Sequence, residues 1–310
     1  MKIKTITITM AGAVCASLLA VSAAHAQNLF VGSYGNGSIE EISGGTTTTF
    51  ANGFSYPNAV AFNSAGDVFA ADSGGYQTIY EYPPSGGTAT VFASNLNDPF
   101  GMAFNAAGNL FVANAGNNSI LEFGPSGGTP TLIPTTNLYE PDAIAFDSAG
   151  NLYIANLAND AAGQGYITKI TPGGVQTVFA ANLNAPAGLA FNSAGDLFVS
   201  EGNNNDTIIE VTPGGNESPF ATGLDQPIGL AFDSAGDLWV ADGGVLDSSG
   251  NITELDADGN VLSVNTSIPK PISLAFQGET LPVPEPSEYA LFGLGLAALV
   301  LRATKKAARA

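Results

Sequence analysis

The sequence has little of the side-chain chemistry on which most enzymes and nucleic-acid-binding proteins depend. Its 310 residues include one cysteine, one histidine and eight lysines or arginines against 27 acidic residues, so the formal net charge is −19 at pH 7. The shortage of lysine and arginine argues against nucleic acid as a partner, because phosphate binding needs clustered positive charge. Charged residues make up only 11% of the chain and glycine numbers 38. This balance favours turns and strands over long helices with many ion pairs.

The N-terminus has the three zones of a signal peptide. Two lysines precede an apolar stretch over residues 6–21, and Ala24-His25-Ala26 forms a small-x-small cleavage site. We therefore expect residues 1–26 to be removed on export. The only cysteine, Cys15, and the only histidine leave with this segment, so the mature protein has no thiol, imidazole or disulfide. An exported protein without disulfides must rely on a large core.

The middle of the chain is one repeat used six times. Its units begin at proline residues spaced 41 to 45 residues apart: Pro57, Pro99, Pro141, Pro186, Pro227 and Pro271. In one unit, strands are predicted at Leu189–Phe191, Leu197–Val199, Ile208–Val211 and Pro219–Ala221, with a hairpin turn at 193–196. A period of about 43 residues with four strands and no helix signal is typical of a β-propeller blade.

The two ends of the repeat region complete each other. The sixth unit has only its first strand, Pro271–Phe276, whereas Asn28–Val31 looks like a second strand without a first. The sequence thus predicts an all-β fold over 27–278, a six-bladed β-propeller closed by one C-terminal and three N-terminal strands. Such pairing removes the open sheet edges that would otherwise promote aggregation.

Two recurring patterns, Pro-x-Gly-Leu-Ala-Phe-Asp and Asn-Leu-Tyr-Val-Ala-Asn, resemble those of NHL-repeat propellers over nearly all of residues 27–278. One aromatic residue recurs at each of two positions per unit, which predicts packing between neighbouring blades. The first-strand set is Phe62, Phe104, Phe146, Phe191, Phe232 and Phe276, and the second-strand set is Phe30, Phe69, Phe111, Tyr153, Phe198 and Trp239.

The C-terminus has a different composition. Residues 279–288 form a proline-rich linker that contains Pro284, Glu285 and Pro286, and residues 289–310 form an apolar segment, expected to be a helix, with a basic tail. This order resembles the PEP-CTERM sorting signal. The resemblance implies a transient membrane anchor, processing near Pro-Glu-Pro by an exosortase-type enzyme, and a Gram-negative source. It places the protein in the cell envelope, at the outer surface or outside the cell.

The residues that end the second strands are candidate ligands for a cation, because the binding or catalytic site of a propeller usually lies at that end of its blades. The candidate metal ligands are Asp72, Asn114, Asn156, Glu201 and Asp242, with Ser33 in the remaining blade. Such oxygens suit calcium, and the set resembles the acid-and-amide metal cradle of gluconolactonase-like propellers. Alternatively, each side chain caps the turn that follows its strand.

Departures from the repeat mark further candidates. The loops at 157–165 and 243–250 are longer than their counterparts, and functional variation is usually found on loops over a rigid scaffold. Asp142 follows its proline at a position where other repeats have mainly apolar residues, and this position predicts that it lies at the same rim as the ends of the second strands. A glutamate recurs in the third strand, for example Glu254, and is expected to form a solvated row. Residues 256–260 resemble half of a calcium loop but are expected to form a hairpin turn.

Two functions remain open from the sequence. The first is a non-catalytic binding platform at the cell surface or in the extracellular matrix, with exopolysaccharide or another surface protein as its partner. The second is a divalent-metal-dependent hydrolase resembling gluconolactonases, since acid and amide ligands can hold a metal without histidine. Residues 27–280 contain two lysines and 25 acids, a net charge of −23. Contact with anionic lipid or acidic polysaccharide would therefore require bridging divalent cations.

Overall fold

The computed structural model describes residues 27–157, 164–202, 206–243 and 250–278. These residues form 24 strands in six antiparallel four-stranded sheets. A single turn of 3₁₀ helix, Ala115–Asn117, interrupts the all-β pattern within the described part of the chain. None of the described helical residues forms a span long and apolar enough to cross a membrane. The predicted signal peptide and the C-terminal segments 279–288 and 289–310 lie outside the described residues.

Each sheet is one blade, named here in order round the ring. Blade 1 consists of β24 (Pro271–Phe276), β1 (Leu29–Ser33), β2 (Ser38–Ser43) and β3 (Thr46–Asn52). Blade 2 consists of β4 (Pro57–Phe62), β5 (Val68–Asp72), β6 (Thr78–Tyr82) and β7 (Thr90–Ala93). Blade 3 consists of β8 (Pro99–Phe104), β9 (Leu110–Asn114), β10 (Ser119–Gly124) and β11 (Gly127–Leu132).

The other three blades repeat this order. Blade 4 consists of β12 (Pro141–Phe146), β13 (Leu152–Asn156), β14 (Gln164–Ile170) and β15 (Gln176–Asn184). Blade 5 consists of β16 (Pro186–Phe191), β17 (Leu197–Glu201), β18 (Thr207–Val211) and β19 (Glu217–Thr222). Blade 6 consists of β20 (Pro227–Phe232), β21 (Leu238–Asp242), β22 (Asn251–Leu255) and β23 (Val261–Asn265). Most of these strands are a few residues longer than the short apolar segments from which the sequence predicted them.

The ring closes as predicted, with one C-terminal strand paired to three N-terminal strands. Strand β24 is antiparallel to β1, with Leu29 opposite Phe276 and Val31 opposite Leu274. The register shifts at a bulge between Gly32 and Ser33, after which Ser33 lies opposite Pro271. Because β24 is the inner strand of blade 1, closure joins residues about 245 positions apart, and the N-terminal strand β1 lies inside the sheet with a partner on each side.

The hairpin between the first two strands of a blade is held by its own side chain. In blade 2, Asn63 Oδ1 accepts hydrogen bonds from the backbone N–H groups of Ala65 and Asp67. Gly66 adopts φ 86°, which glycine tolerates best. The same side-chain bonds recur at Asn105, Asp147, Asn192 and Asp233. Residues 256–260 form this turn between β22 and β23, which confirms the hairpin prediction.

The recurring aromatic residues join each blade to the next, as predicted. The second-strand ring of one blade meets the first-strand phenylalanine of its neighbour edge to face in every interface. Ring-centroid distances are 5.0 Å for Phe30–Phe62, 4.9 Å for Phe69–Phe104, 5.0 Å for Phe111–Phe146, 4.9 Å for Tyr153–Phe191, 4.9 Å for Phe198–Phe232 and 5.9 Å for Trp239–Phe276. Six equivalent contacts thus stabilise the ring without a disulfide.

The prediction of a solvated glutamate row was wrong at Glu254 and incomplete elsewhere. Glu254 is 6% exposed, and Ser263 Oγ donates a hydrogen bond to its carboxylate. Glu41 and Glu122 are half-buried and accept hydrogen bonds from the amides of Asn28 and Asn109. The row lies beside the hairpin turns, where amide donors compensate the carboxylates for lost water.

Candidate functional site

The six inner strands surround a central channel with two mouths. Around the first mouth the inner strands begin, and this cavity has a volume of about 390 Å³. Around the second mouth they end, and the cavity there has a volume of about 440 Å³. We call these the start mouth and the end mouth. The lining of the end mouth includes the six repeated phenylalanines, whereas that of the start mouth includes the six residues after the inner-strand prolines, which differ from blade to blade.

The residues that end the second strands lie at the same end of the blades as the start mouth. In five blades the side-chain oxygen accepts a hydrogen bond from a backbone N–H group in the loop that precedes the first strand of the blade. The donor residue is always 17 positions earlier in the chain. The pairs are Asp72 with Ser55, Asn114 with Asn97, Asn156 with Tyr139, Glu201 with Asn184 and Asp242 with Asp225, at 2.6–3.1 Å. Each side chain therefore holds the loop that leads into the first strand of its own blade.

The remaining contacts of this set strengthen the same role. Asp72 also accepts from the N–H groups of Tyr56 and Gly74, at 2.8 and 3.2 Å. In the closure blade Ser33 donates its hydroxyl to the Pro269 carbonyl at 2.6 Å instead. Burial, together with the nearby carboxylates of Asp225 and Asp206, raises the pKa of Asp242 to about 6, although the N–H of Asp225 opposes the shift. In all five blades the bound N–H belongs to the loop before the first strand, not to the turn after the second strand as expected, so these side chains cap the upstream loop. Asp72 caps the following turn as well. The cation role stays a prediction.

One group of three acids does lie close together in the described residues, and it involves none of the predicted ligands. Carboxylate oxygens of Asp233, Asp237 and Glu254 lie within 4.8 Å of one another. Asp233 already accepts from two backbone N–H groups and from the indole N–H of Trp239. The group belongs to the hairpin-turn side of blade 6. The equivalent turns of other blades pair an acid with an amide: Asn63 with Asp67, Asp147 with Asn151 and Asn192 with Asp196.

The start mouth concentrates the differences among blades. The residues that follow the inner-strand prolines are Asn58, Phe100, Asp142, Ala187, Ile228 and Ile272, and all line this cavity. Asp142 therefore lies at the rim, as its position in the repeat predicted. Among the described lining residues it is the one with a charged side chain. Burial, reinforced by the nearby carboxylate of Glu140, raises its pKa to about 7.

A pair of stacked tyrosines stands beside this cavity, and sequence reasoning missed it. The rings of Tyr34 and Tyr56 lie 4.5 Å apart at an interplanar angle of 16°, and their hydroxyls are 3.0 Å apart. They are 38% and 44% exposed, so part of each ring is open to solvent. The Nζ of Lys270 lies 5.8 Å from the centroid of Tyr34. The available signal was that no other repeat carries tyrosine at either position.

The longer loops predicted at 157–165 and 243–250 fall largely outside the described residues. Their flanking residues end β13 and β21 at the same end of the blades as the start mouth. The described site therefore consists of the inner-strand starts, the capping side chains and the tyrosine pair.

Comparison with known proteins identifies the C-terminal segment. Residues 282–306 match the family model described as the PEP-CTERM protein-sorting motif. The chain carries this sorting signal. The motif indicates export across the inner membrane and sorting to the cell surface or extracellular space. It also implies processing by an exosortase. No curated protein matches the chain by sequence at a significant level.

Solved structures share the propeller fold at low sequence identity. A structure of a nidogen/laminin complex has a TM-score of 0.70 and 18% identity, covering 82% of this chain and 100% of that one. A streptogramin B lyase has a TM-score of 0.61 and 17% identity, covering 81% and 86%. A gluconolactonase from Xanthomonas campestris has a TM-score of 0.60 and 18% identity, covering 70% and 77%. At such identities the likeness shows the fold alone.

Proposed function

We propose that this chain is an exosortase-processed protein of the cell surface or extracellular matrix whose propeller is a non-catalytic binding platform. Its ligand binds at the start mouth. The observation that carries the proposal is the contrast within the repeat: the packing residue that ends the inner strand is phenylalanine in every blade, whereas the residues just after the inner-strand prolines differ. Binding residues are typically varied positions on a rigid scaffold.

The chemistry of the propeller favours binding over catalysis. Residues 27–278 contain no histidine, cysteine or arginine, and histidine is the usual general base near neutral pH. The strand-end acids and amides, which a metal-dependent hydrolase would need, already hold backbone N–H groups. Among the neighbours in fold, the nidogen/laminin structure is a protein–protein complex, which supports a propeller as a docking platform.

Sorting can be tested in the producing bacterium. Replacement of Glu285 by alanine should block processing, because Glu285 is the central residue of Pro284-Glu-Pro286 in the segment 282–306 that matches the sorting model. The precursor should then accumulate in the envelope at its larger mass with its propeller folded, as judged by protease resistance. A matched Glu288→Ala variant, three residues away, should be processed normally. Normal maturation and release of the Glu285 variant would refute exosortase sorting.

Binding and catalysis can be separated on the processed protein. It should bind exopolysaccharide or a surface protein from the same cells without turning over lactones, whether or not calcium is present. Phe100→Ala should weaken that binding because Phe100 lines the start mouth. Calcium-dependent lactone hydrolysis that is lost in Glu201→Gln would contradict the proposal and establish the hydrolase alternative.

A further inference from the structure

The start mouth presents one negative charge in an otherwise uncharged cavity. Its described lining is mostly apolar and includes Phe100, Ile228 and Ile272, while Asn58 donates its side-chain amide to Ser73 Oγ at 2.5 Å. Asp142 supplies the only carboxylate among these lining residues. A volume of about 390 Å³ is in the range of small-molecule sites, which combine apolar walls with a few polar groups.

No positive charge of the described protein compensates Asp142. The described chain contains two lysines. Lys169 lies 4.0 Å from Asp147, which follows the opposite end of β12, and Lys270 lies over the ring of Tyr34. The charge that acts most on Asp142 is a second carboxylate, Glu140. A partly buried carboxylate with an acidic neighbour and no cationic partner is stabilised when a cation enters the site.

The kind of cation follows from the other walls. Calcium needs six to eight oxygen ligands, whereas the described lining offers one carboxylate among mainly apolar groups. An organic ammonium needs only one counter-ion and gains from aromatic faces and apolar contact. The exposed Tyr34–Tyr56 pair supplies aromatic surface at the rim, and Lys270 shows that an ammonium already sits near it.

We infer that the start mouth binds a small organic ammonium, with its positive group at Asp142 and its carbon skeleton against Phe100, Ile228 and Ile272. This inference rests on the proposed binding function and names its ligand class. Lysine side chains of a protein partner and amino groups of a sugar share this chemistry. The net charge of −23 on residues 27–280 would also concentrate such cations near the propeller.

The test compares two probes of the same shape, 2-phenylethylamine and 2-phenylethanol, by calorimetric titration of the processed protein. Measurements are made at about pH 8, where Asp142 is mainly ionised because its pKa is about 7. Physiological salt limits non-specific attraction. We expect the amine to bind at least about tenfold more tightly than the alcohol. Asp142→Asn should abolish this preference, and Phe100→Ala should weaken both probes while preserving their ratio.

Glu217→Gln is the charge-matched control, because Glu217 is exposed on the outer strand β19 and lines neither mouth. It should keep the tenfold preference.

Equal binding of amine and alcohol, or a preference that survives Asp142→Asn, would overturn the ammonium inference while leaving the proposed binding platform intact. Absence of binding by both probes would overturn the inference as well. In that case, retained binding of the cell-surface partner would still support the proposed function. If the amine does bind, competition by lysine-rich peptide or by glucosamine distinguishes the two sources of ammonium.

Discussion

At the end mouth the six inner strands finish on the same residue, a phenylalanine. At the start mouth they begin with the same proline but continue with five different residue types. The phenylalanines pack edge to face against the neighbouring blade. The residues after the prolines line a cavity, where packing does not dictate their identity. Repetition therefore marks what every blade interface requires, and departure from repetition marks the cavity where we propose that the ligand binds.

The closure strand should give the largest effect. Deletion of residues 271–276 removes the inner strand of blade 1, breaks its pairing with β1 and exposes sheet edges. We expect loss of soluble, cooperatively folded protein, which calorimetry and size-exclusion chromatography would show. A truncated chain that melted like the parent would mean that the ring does not depend on this closure.

Loss of an aromatic ring should matter far more between blades than at the start mouth. Phe69 is completely buried and contacts the rings of Phe92 and Phe104 at 5.0 and 4.9 Å. Phe69→Ala should cost about 3–5 kcal/mol, which lowers the melting temperature by roughly 6–20 °C for a domain of this size. Phe100→Ala should cost about 1 kcal/mol or less. Similar losses in the two variants would remove the distinction between the regions.

The strand-end caps should belong to the structural part of the molecule although they lie near the start mouth. Asp72 is buried and holds three backbone N–H groups, so Asp72→Ala should cost about 2–3 kcal/mol. Thermal unfolding measures this cost, and exposed Glu217→Ala serves as the control, with a change within about 0.5 kcal/mol. An Asp72 variant as stable as that control would show that the cap contributes little.

The smallest effect is expected from calcium. If the strand-end oxygens serve as caps, calcium should raise the melting temperature no more than sodium at matched ionic strength. A true site, at a free calcium concentration 100 times its dissociation constant, would add about 2.7 kcal/mol of stability, an effect easily seen by calorimetry. A calcium-specific rise that disappears in the double variant Glu201→Gln, Asp242→Asn would establish the metal site.

The fold was predictable because the repeat has a regular period of about 43 residues. The closure of the ring was predictable because the last repeat contains only a first strand and the N-terminal segment lacks one. The register of Asp142 likewise predicted its place at the rim. The capping partners were harder, because Ser55 and its equivalents belong to loops without a shared sequence pattern. The tyrosine pair joins Tyr34 and Tyr56 from neighbouring blades, so neither local pattern contains it. Burial of Glu254 depends on how closely β22 and β23 approach the turn, which residue spacing does not specify.

The most direct test applies one chemical change at both ends of the same strand. Asp142, near the start of β12, accepts no hydrogen bond from a described side chain and has a pKa raised to about 7. The folded state therefore retains its proton to higher pH than the unfolded chain, and its contribution to stability is lost as the pH rises from about 4 to about 7. An asparagine at this position does not ionise and so avoids this loss of folding stability, which is on the order of 4 kcal/mol at most.

Asp147, just after the end of β12, instead accepts hydrogen bonds from the amide of Asn151 at 2.7 Å and the hydroxyl of Tyr153 at 3.2 Å. At about pH 8, calorimetric melting should therefore show Asp142→Asn stabilised and Asp147→Asn destabilised by about 1–2 kcal/mol. Opposite signs for one substitution would show that Asp142 costs stability at the start mouth, as expected of a residue retained for binding, whereas Asp147 stabilises the fold at the end mouth. Destabilisation of both variants would contradict this account.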